Sequence, residues 1–235
     1  MKHYIFDIDG TLTPSRGRID PEFETFFKSF INKNKVSLVT GSDRPKTLEQ
    51  IGIEISDSVD TMYQCSGNHI WKKGKEVSRI DWRLPHKVVQ WLLITLENSS
   101  YSKRTGDHLE ERVGLANFSI VGRKADARQR KAYVKYDTNV GERKLIAYRF
   151  NEKFGKKLKA QVAGETGIDI IPLGCDKSQI LKQIPLDDTI IFFGDKTELG
   201  GNDYEIAQAV DKRLNGHFHT VTEWKHTYSI LKEEI

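Results

Sequence analysis

Apolar positions crowd the start of the chain at Tyr4-Ile5-Phe6 and stop at Asp7, an unbroken run that predicts a short buried strand. In "DPEFETFFKSFINKN" the period changes. Phe23, Phe26, Phe27, Phe30 and Ile31 recur at helical spacing, with Asp20 placed as N-cap and Pro21 at the first helical position. "KVSLVT" reads as a second buried strand ending at Thr40-Gly41, Pro45 to Ile51 as a helix, and "TMYQC" as a strand. "HIWKKGKEV" reads as a small hairpin turning at Lys73-Gly74. Strands and helices in alternation predict a parallel sheet with crossover helices.

That alternation breaks in the middle of the chain. "PHKVVQWLLITLENSS" has the helical pattern, and "LEERVGLANFSIVG" reads as two extended segments around Gly114. "ADARQRKAYVKYD" and "NVGERKLIAYRFNEKFG" read as helices, and "LKAQVAGETGIDIIPL" as a strand pair bent near Gly164–Gly167. From Asp176 the alternation resumes: helix "KSQILKQI", strand "DTIIFFGD", helix "NDYEIAQAV", then a short strand and helix. The fold class this predicts is α/β, a Rossmann-like parallel-sheet core formed by residues 1–78 and 174–235 with an α+β cap domain, 79–173, inserted into it.

Composition narrows the class. The chain is 37% hydrophobic and 30% charged, with no apolar run long enough to cross a bilayer, so a soluble globular protein is expected and no membrane partner. The first strand starts close to Met1, so no signal peptide is expected, and the two cysteines, Cys65 and Cys175, lie far apart. A cytoplasmic location is the expectation. Residues 101–160 hold 16 Lys/Arg against 7 Asp/Glu, while the rest of the chain is net acidic. A basic block of this kind serves nucleic acid, acidic lipid or phosphorylated small molecules, or forms a solvated helical face. Base-stacking aromatics are not interleaved with its arginines, so nucleic acid is not expected as a partner.

The candidate chemistry lies at the carboxyl ends of the predicted strands, where open parallel sheets bind ligands. The first strand ends in Asp7-x-Asp9, the second in Thr40-Gly41-Ser42-Asp43, and "IIFFGDK" in Asp195, followed by Asn202 and Asp203. Lys177 opens the helix after "GCD". Four carboxylates, a hydroxyl and a lysine would then converge on one rim. Like charges as close as Asp7 and Asp9 cost free energy unless a cation or a reaction uses them.

"DIDGTLT", "VTG", a lone lysine and "GDKTELGGND" resemble, in order, the four motifs of the haloacid dehalogenase superfamily. The resemblance implies Mg²⁺ bound by oxygen ligands, with Asp7 as nucleophile and metal ligand. The backbone carbonyl of Asp9 and the carboxylate of Asp195 would complete the protein ligands, with Asn202 and Asp203 at the same motif. Asp9 is implied as general acid and base. Thr40 (with Ser42 as a further hydroxyl) and Lys177 would bind the transferring phosphoryl oxygens.

The middle block resembles the eukaryotic-type phosphomannomutases, whose cap is of the superfamily's type IIB. The likeness is densest at "DIDGTLTPSR", "GSD", "ERVGLANFSIVGR", "ADARQR", "GIDIIPLGCDK" and "FFGDKTELGGNDYEI". It implies that Arg16, Arg112, Arg123 and Arg130 grip a sugar bisphosphate and that Asn117 and Asp169 contact the sugar. Guanidinium forks suit the task of holding one phosphate while another reacts. The implied activity interconverts mannose 6-phosphate and mannose 1-phosphate, primed by glucose or mannose 1,6-bisphosphate, under a cap that closes and excludes water. A homodimer through the cap is also implied.

The chain departs from that pattern in places. Gly167 stands where the family has a serine, Ala163-Gly164 replaces a double glycine, and "CSGNHIW" differs from the family's sequence there. Ala207 and Ala209 replace ligands of a second cation, and His108 replaces an aromatic residue of the dimer contact. A Mg²⁺-dependent sugar-phosphate phosphatase is the alternative reading, and a binding or scaffold protein without catalysis is a third. His217-x-His219 is expected to reflect strand alternation rather than a metal site. "GETG" and Gly200-Gly201 form no nucleotide-binding fingerprint, and Trp71, Trp82 and Trp91 read as packing residues.

Overall fold

The computed structural model describes residues 1–233. In chain order the elements are β1 (Lys2–Phe6), α1 (Pro21–Lys33), β2 (Lys35–Val39), α2 (Arg44–Ser58), β3 (Thr61–Gln64), β4 (His69–Lys72), β5 (Lys75–Arg79), α3 (His86–Glu97), β6 (Leu109–Arg112), β7 (Leu115–Phe118), α4 (Ala127–Val140), α5 (Glu142–Phe154), β8 (Leu158–Ala163), β9 (Gly167–Pro172), β10 (Thr189–Gly194), α6 (Tyr204–Asp211), β11 (Gly216–Thr220) and α7 (Trp224–Glu233). Two compact units result, Met1–Ile80 with Gly174–Ile235, and Asp81–Leu173. The fold is α/β, with a largely parallel sheet in the first unit and a separate antiparallel sheet in the second.

The first unit carries a seven-stranded sheet in the order β11-β10-β1-β2-β3-β4-β5. The five strands from β11 to β3 are parallel, and β4 and β5 extend the edge as an antiparallel hairpin. Lys73 and Gly74 both have positive φ, 46° and 74°, which lets a two-residue turn follow the twist of its strands. The chain runs from β1 to β2 on one side, whereas β10 returns to the other side of β1. That reversal makes a topological switch point beside the end of β1.

Helix α1 shows why the sequence folds this way. Asp20 accepts from the backbone N–H groups of Glu22 and Phe23 at 2.9 and 3.3 Å, a cap worth about 1 kcal/mol. Phe23, Phe27 and Phe30 are buried against the sheet, where Phe6 stacks on Phe193 with ring centroids 4.8 Å apart. Each such ring contributes roughly 2–3 kcal/mol of burial. Their packing holds β1 and β10 in register and so fixes the residues that follow each strand.

Two elements differ from the sequence expectation. Helix α2 continues to Ser58, past a kink at Gly52, whose φ of 73° interrupts the helix where the apolar pattern of Pro45–Ile51 ends. "KSQILKQI" forms a 3₁₀ helix, Lys177–Gln183, rather than an α-helix. Asp176 caps it by accepting from Ser178 N at 2.9 Å, and Ile180 is its one fully buried apolar anchor. Two adjacent apolar residues in seven, Ile180 and Leu181, give no continuous 3.6-period stripe to pull it into an α-helix.

The second unit is a four-stranded antiparallel sheet, β6-β7-β9-β8, with helices packed on one face. Phe118, Tyr133, Phe150, Ile168 and Ile170 lie in its hydrophobic core. Gly141, at φ 69°, ends α4 and turns directly into α5. Among the described residues no helix is long and apolar enough to cross a membrane, and neither Cys65 nor Cys175 is in a disulfide.

Candidate active site

The end of β1 places Asp7 at the switch point, where its backbone N–H donates to Phe193 O on β10 at 2.9 Å. Asp7, Asp195 after β10 and Asp203 at the start of α6 bring carboxylate oxygens within 4.8 Å of one another. Lys177, the first residue of the 3₁₀ helix, sits fully buried among them. Its Nζ donates to Asp7 Oδ1 at 2.5 Å and to Asp203 Oδ1 at 2.6 Å. The second Asp7 oxygen, Oδ2, is buried and has no hydrogen-bond partner among the described residues.

Electrostatics follow from that crowding. Burial pushes the Asp7 carboxyl well above the usual range, and the charges of Asp203 and Asp195 add to the effect against the pull of Lys177. Asp195 rises to about 6, through burial first and then the charge of Asp203. Burial works against the Lys177 ammonium, but Asp203 and Asp7 outweigh it and hold its pKa above the ordinary value. Lys196 Nζ, half-exposed, also lies 3.3 Å from Asp195 Oδ2, and three acids against two cations still leave room, electrostatically, for a further positive charge. Gly10 keeps the approach open: with φ at 82°, a Cβ there would fall 2.5 Å from Asp195 Oδ2.

Asp9 stands apart from that cluster. Its Oδ1 accepts from Arg16 N at 2.6 Å and from Gln50 Nε2 at 3.0 Å, and Gln50 also donates to Thr13 Oγ1 at 3.2 Å. Arg16 itself adopts φ 58° in an exposed loop. Thr40, buried at the end of β2, accepts at Oγ1 from Ser42 N at 3.0 Å. Asn202 is half-buried immediately before Asp203.

The second unit links Arg112, Asn117, Arg123 and Asp169 in one polar network, with Arg130 outside it. Asn117 on β7 donates to Asp169 Oδ1 on β9 at 2.7 Å and accepts from Arg123 Nη1 at 3.2 Å. Glu110 on β6 accepts from Arg112 Nε at 2.8 Å and pairs with Arg123 Nε as well. Although burial tends to raise the Glu110 carboxyl, the two guanidinium groups win and hold it low. Arg130, on the first turn of α4, donates to the half-exposed Glu165 at 2.5 Å. The capping box of Asp126 and Gln129 fixes that turn.

A family model described as "Eukaryotic phosphomannomutase" matches residues 23–235. The chain belongs to the eukaryotic phosphomannomutase family. It is 35% identical over 238 residues to the phosphomannomutase of Saccharomyces cerevisiae, covering 97% of this chain and 92% of that one. Against human phosphomannomutase 1 it is 32% identical over 224 residues, covering 91% and 85%. Solved structures agree on the fold. A haloacid dehalogenase-like hydrolase from Bacteroides thetaiotaomicron superposes at TM-score 0.60 and 14% identity, covering 100% of this chain and 99% of that one. The C-terminal domain of C. albicans trehalose-6-phosphate phosphatase gives 0.63 at 16% identity, covering 95% and 80%.

Within this phosphomannomutase-family chain the sequence motifs fall into two groups. In the first unit Asp7, Lys177, Asp195 and Asp203 meet directly, whereas the Asp9 carboxylate is engaged by Arg16 and Gln50 instead. In the second unit Asn117, Arg123 and Asp169 form one hydrogen-bonded chain, and Arg112 joins it through Glu110. His217 and His219 lie on β11, and among the described residues neither belongs to a potential metal cluster. Sequence reasoning passed over Gln50, Glu110 and Gln161. Gln50 could have been found as a polar residue in the buried phase of α2, beside Thr47 and Ile51. Glu110 sits two residues before Arg112, so strand alternation puts both on one face. Gln161 carried no motif signal.

Proposed function

We propose that this chain is a Mg²⁺-dependent phosphomannomutase that interconverts mannose 6-phosphate and mannose 1-phosphate through a phosphoryl group carried on Asp7. The supporting observation is the buried Asp7 carboxylate, one oxygen held by Lys177 and the other without a partner among the described residues, beside Asp195 and Asp203.

The donor set fits a hard divalent cation. Three carboxylates of one small cluster, one of them with an orphaned oxygen, offer only oxygen ligands. Asp7, Asp195 and Asp203, with the Asp9 carbonyl and Asn202 close in sequence, would hold Mg²⁺, which when bound offsets the crowded negative charge and that of the phosphoryl oxygens.

The chain's own residues do the rest. An Asp7 oxygen attacks phosphorus of a hexose 1,6-bisphosphate, the O–P bond to Asp7 forms, and the bond to the sugar oxygen breaks. Asp9 gives its proton to that sugar oxygen. In the second transfer Asp9 takes the proton of the hexose monophosphate hydroxyl as that oxygen bonds to phosphorus, and the P–O bond to Asp7 breaks to return its carboxylate. Arg16 and Gln50, both donating to Asp9, orient its carboxylate for this exchange. Lys177 and Thr40 stabilise the phosphoryl oxygens as charge builds. Arg112, Arg123 and Arg130 bind the phosphate that is not reacting, and Asn117 and Asp169 the sugar hydroxyls. A homodimer through Asp81–Leu173 and a cytoplasmic location accompany this reading as expectations.

A coupled assay tests it. Mannose 1-phosphate supplied with Mg²⁺ and glucose 1,6-bisphosphate should yield mannose 6-phosphate faster than free phosphate. Rapid phosphate release with no 6-phosphate formed would reject the mutase.

A further inference from the structure

One row of positions is polar from edge to edge of the four-stranded sheet. Glu110 on β6 pairs with Asn117 on β7, Asn117 with Asp169 on β9, and Asp169 with Gln161 on β8. Directly opposed residues of antiparallel strands share a face, so all four side chains leave the sheet on the same side. The other side carries Ala116, Phe118, Ala160, Ile168 and Ile170 in the hydrophobic core. Glu110, Asn117 and Asp169 are each hydrogen-bonded within the row or to its arginines.

Gln161 breaks that pattern. It is only 6% exposed, and its Oε1 has no hydrogen-bond partner among the described residues. Strand register sets its Cβ about 5 Å from that of Asp169. Gly167, two residues before Asp169 on the same face, adds no side chain; a Cβ there would fall 2.5 Å from Asn117 Nδ2. The strip beside Asp169 is therefore lined by one carboxamide and by bare backbone.

The large majority of buried polar side-chain atoms find a partner, so an orphaned acceptor on the face that carries Asn117 and Asp169 is open to a donor from a ligand or from water. A phosphate dianion offers only acceptors. A sugar hydroxyl can supply the donor.

We infer that Gln161 is a specificity-determining residue, its carboxamide hydrogen-bonded to a ring hydroxyl of the sugar phosphate alongside Asp169. This rests on the sugar-phosphate reading above. A hydroxyl donates to Oε1 and accepts from the amide nitrogen, so one sugar position satisfies both ends of the side chain. Discrimination between epimeric hexose phosphates then resides in part on β8, a strand that carries none of the sequence-predicted site residues.

Calorimetric titration of the full chain with mannose 1-phosphate tests this, using Q161M, which keeps the volume and removes the amide, and Q161A. Both variants should bind about five- to tenfold more weakly, the loss of one neutral hydrogen bond. The melting temperature of Q161M should stay level or rise, since an orphaned buried polar atom has gone. Affinity for inorganic phosphate should not change. Within a series of monodeoxy mannose 1-phosphates, one analogue should bind wild type and Q161M alike. Unchanged mannose 1-phosphate affinity in Q161M would overturn the inference, as would a lower melting temperature with equal losses for sugar phosphate and inorganic phosphate. Should the wild-type chain bind no sugar phosphate, the proposed function falls and this inference with it; wild-type binding unaffected by Q161M removes the inference alone.

Discussion

Lys177 donates to Asp7 across 2.5 Å although 170 positions of sequence separate them. The pair joins the first strand of the chain to the segment that re-enters the first unit after the long insertion. Half-exposed Lys196 reaches Asp195 Oδ2 from the rim, at 3.3 Å, whereas the Lys177 ammonium is the buried one at the three carboxylates. Removing it by K177M leaves Asp7 and Asp203 buried without their cation, at a cost of about 3–5 kcal/mol in metal-free protein. Added Mg²⁺ should recover part of that loss, because it restores positive charge to the same carboxylates, while turnover stays down roughly 10²–10³-fold. Thermal melts with and without Mg²⁺ check this; a K177M variant as stable as wild type in metal-free buffer would argue against it.

Gly10 is held open by geometry rather than by any contact of its own. Alanine there would meet both a left-handed backbone and the Asp195 carboxylate. G10A is expected to lose about 1–2 kcal/mol of stability through the backbone alone. It should also weaken Mg²⁺ binding by at least about tenfold as Asp195 is displaced, a loss of about 1.4 kcal/mol. Titration calorimetry with Mg²⁺ alone measures the second effect without any assay of turnover.

Much of the first unit was legible because its chemistry is tied to strand ends. Asp7, Thr40 and Asp195 each follow an apolar run that can only be a buried strand, so the sheet delivers them to one rim. The 3₁₀ form of Lys177–Gln183 was not legible, since a lysine after a capping aspartate looks the same before either helix type. Gln50 escaped because its partner Asp9 lies 41 positions away and no local pattern couples them. In the second unit the arginines could be named from motif likeness, but Glu110, which ties Arg112 to Arg123, depends on strand register that the sequence does not display.

His3 provides the acid-sensitive element of the core. Its imidazole is buried on β1 beside Ser37, 2.9 Å from Oγ, and burial, helped by Lys35, lowers its pKa to about 4. The unfolded chain takes up that proton near pH 6.5, before the folded chain does. The associated stability is therefore full above pH 6.5 and is lost as the pH falls toward 4, amounting to roughly 3 kcal/mol. Urea unfolding at pH 7 and pH 4.5 should show a steeper acid loss for wild type than for H3Q. Parallel losses would assign the acid sensitivity to other groups.

Arg130 reaches Glu165 at 2.5 Å, an acid that a bound phosphate would displace. R130A should raise the KM for the bisphosphate about 10–100-fold, the range for losing a charge-assisted hydrogen bond, while hydrolysis of a small aryl phosphate stays unchanged. E165Q should act in the opposite direction and tighten sugar-phosphate binding, because it frees the guanidinium. Steady-state kinetics on both substrates separates a clamp from a structural ion pair: equal losses on the two would mark Arg130 as structural.

The central claim is that phosphorus becomes bonded to the side chain of Asp7. Acid-quenching the protein after brief exposure to Mg²⁺ and glucose 1,6-bisphosphate, followed by peptide mass spectrometry, measures that bond directly. The account predicts one phosphoryl group on the peptide carrying Asp7, removed by hydroxylamine and absent from D7N. An unmodified Asp7 peptide in protein that is turning over sugar phosphate, or undiminished turnover by D7N, would contradict it.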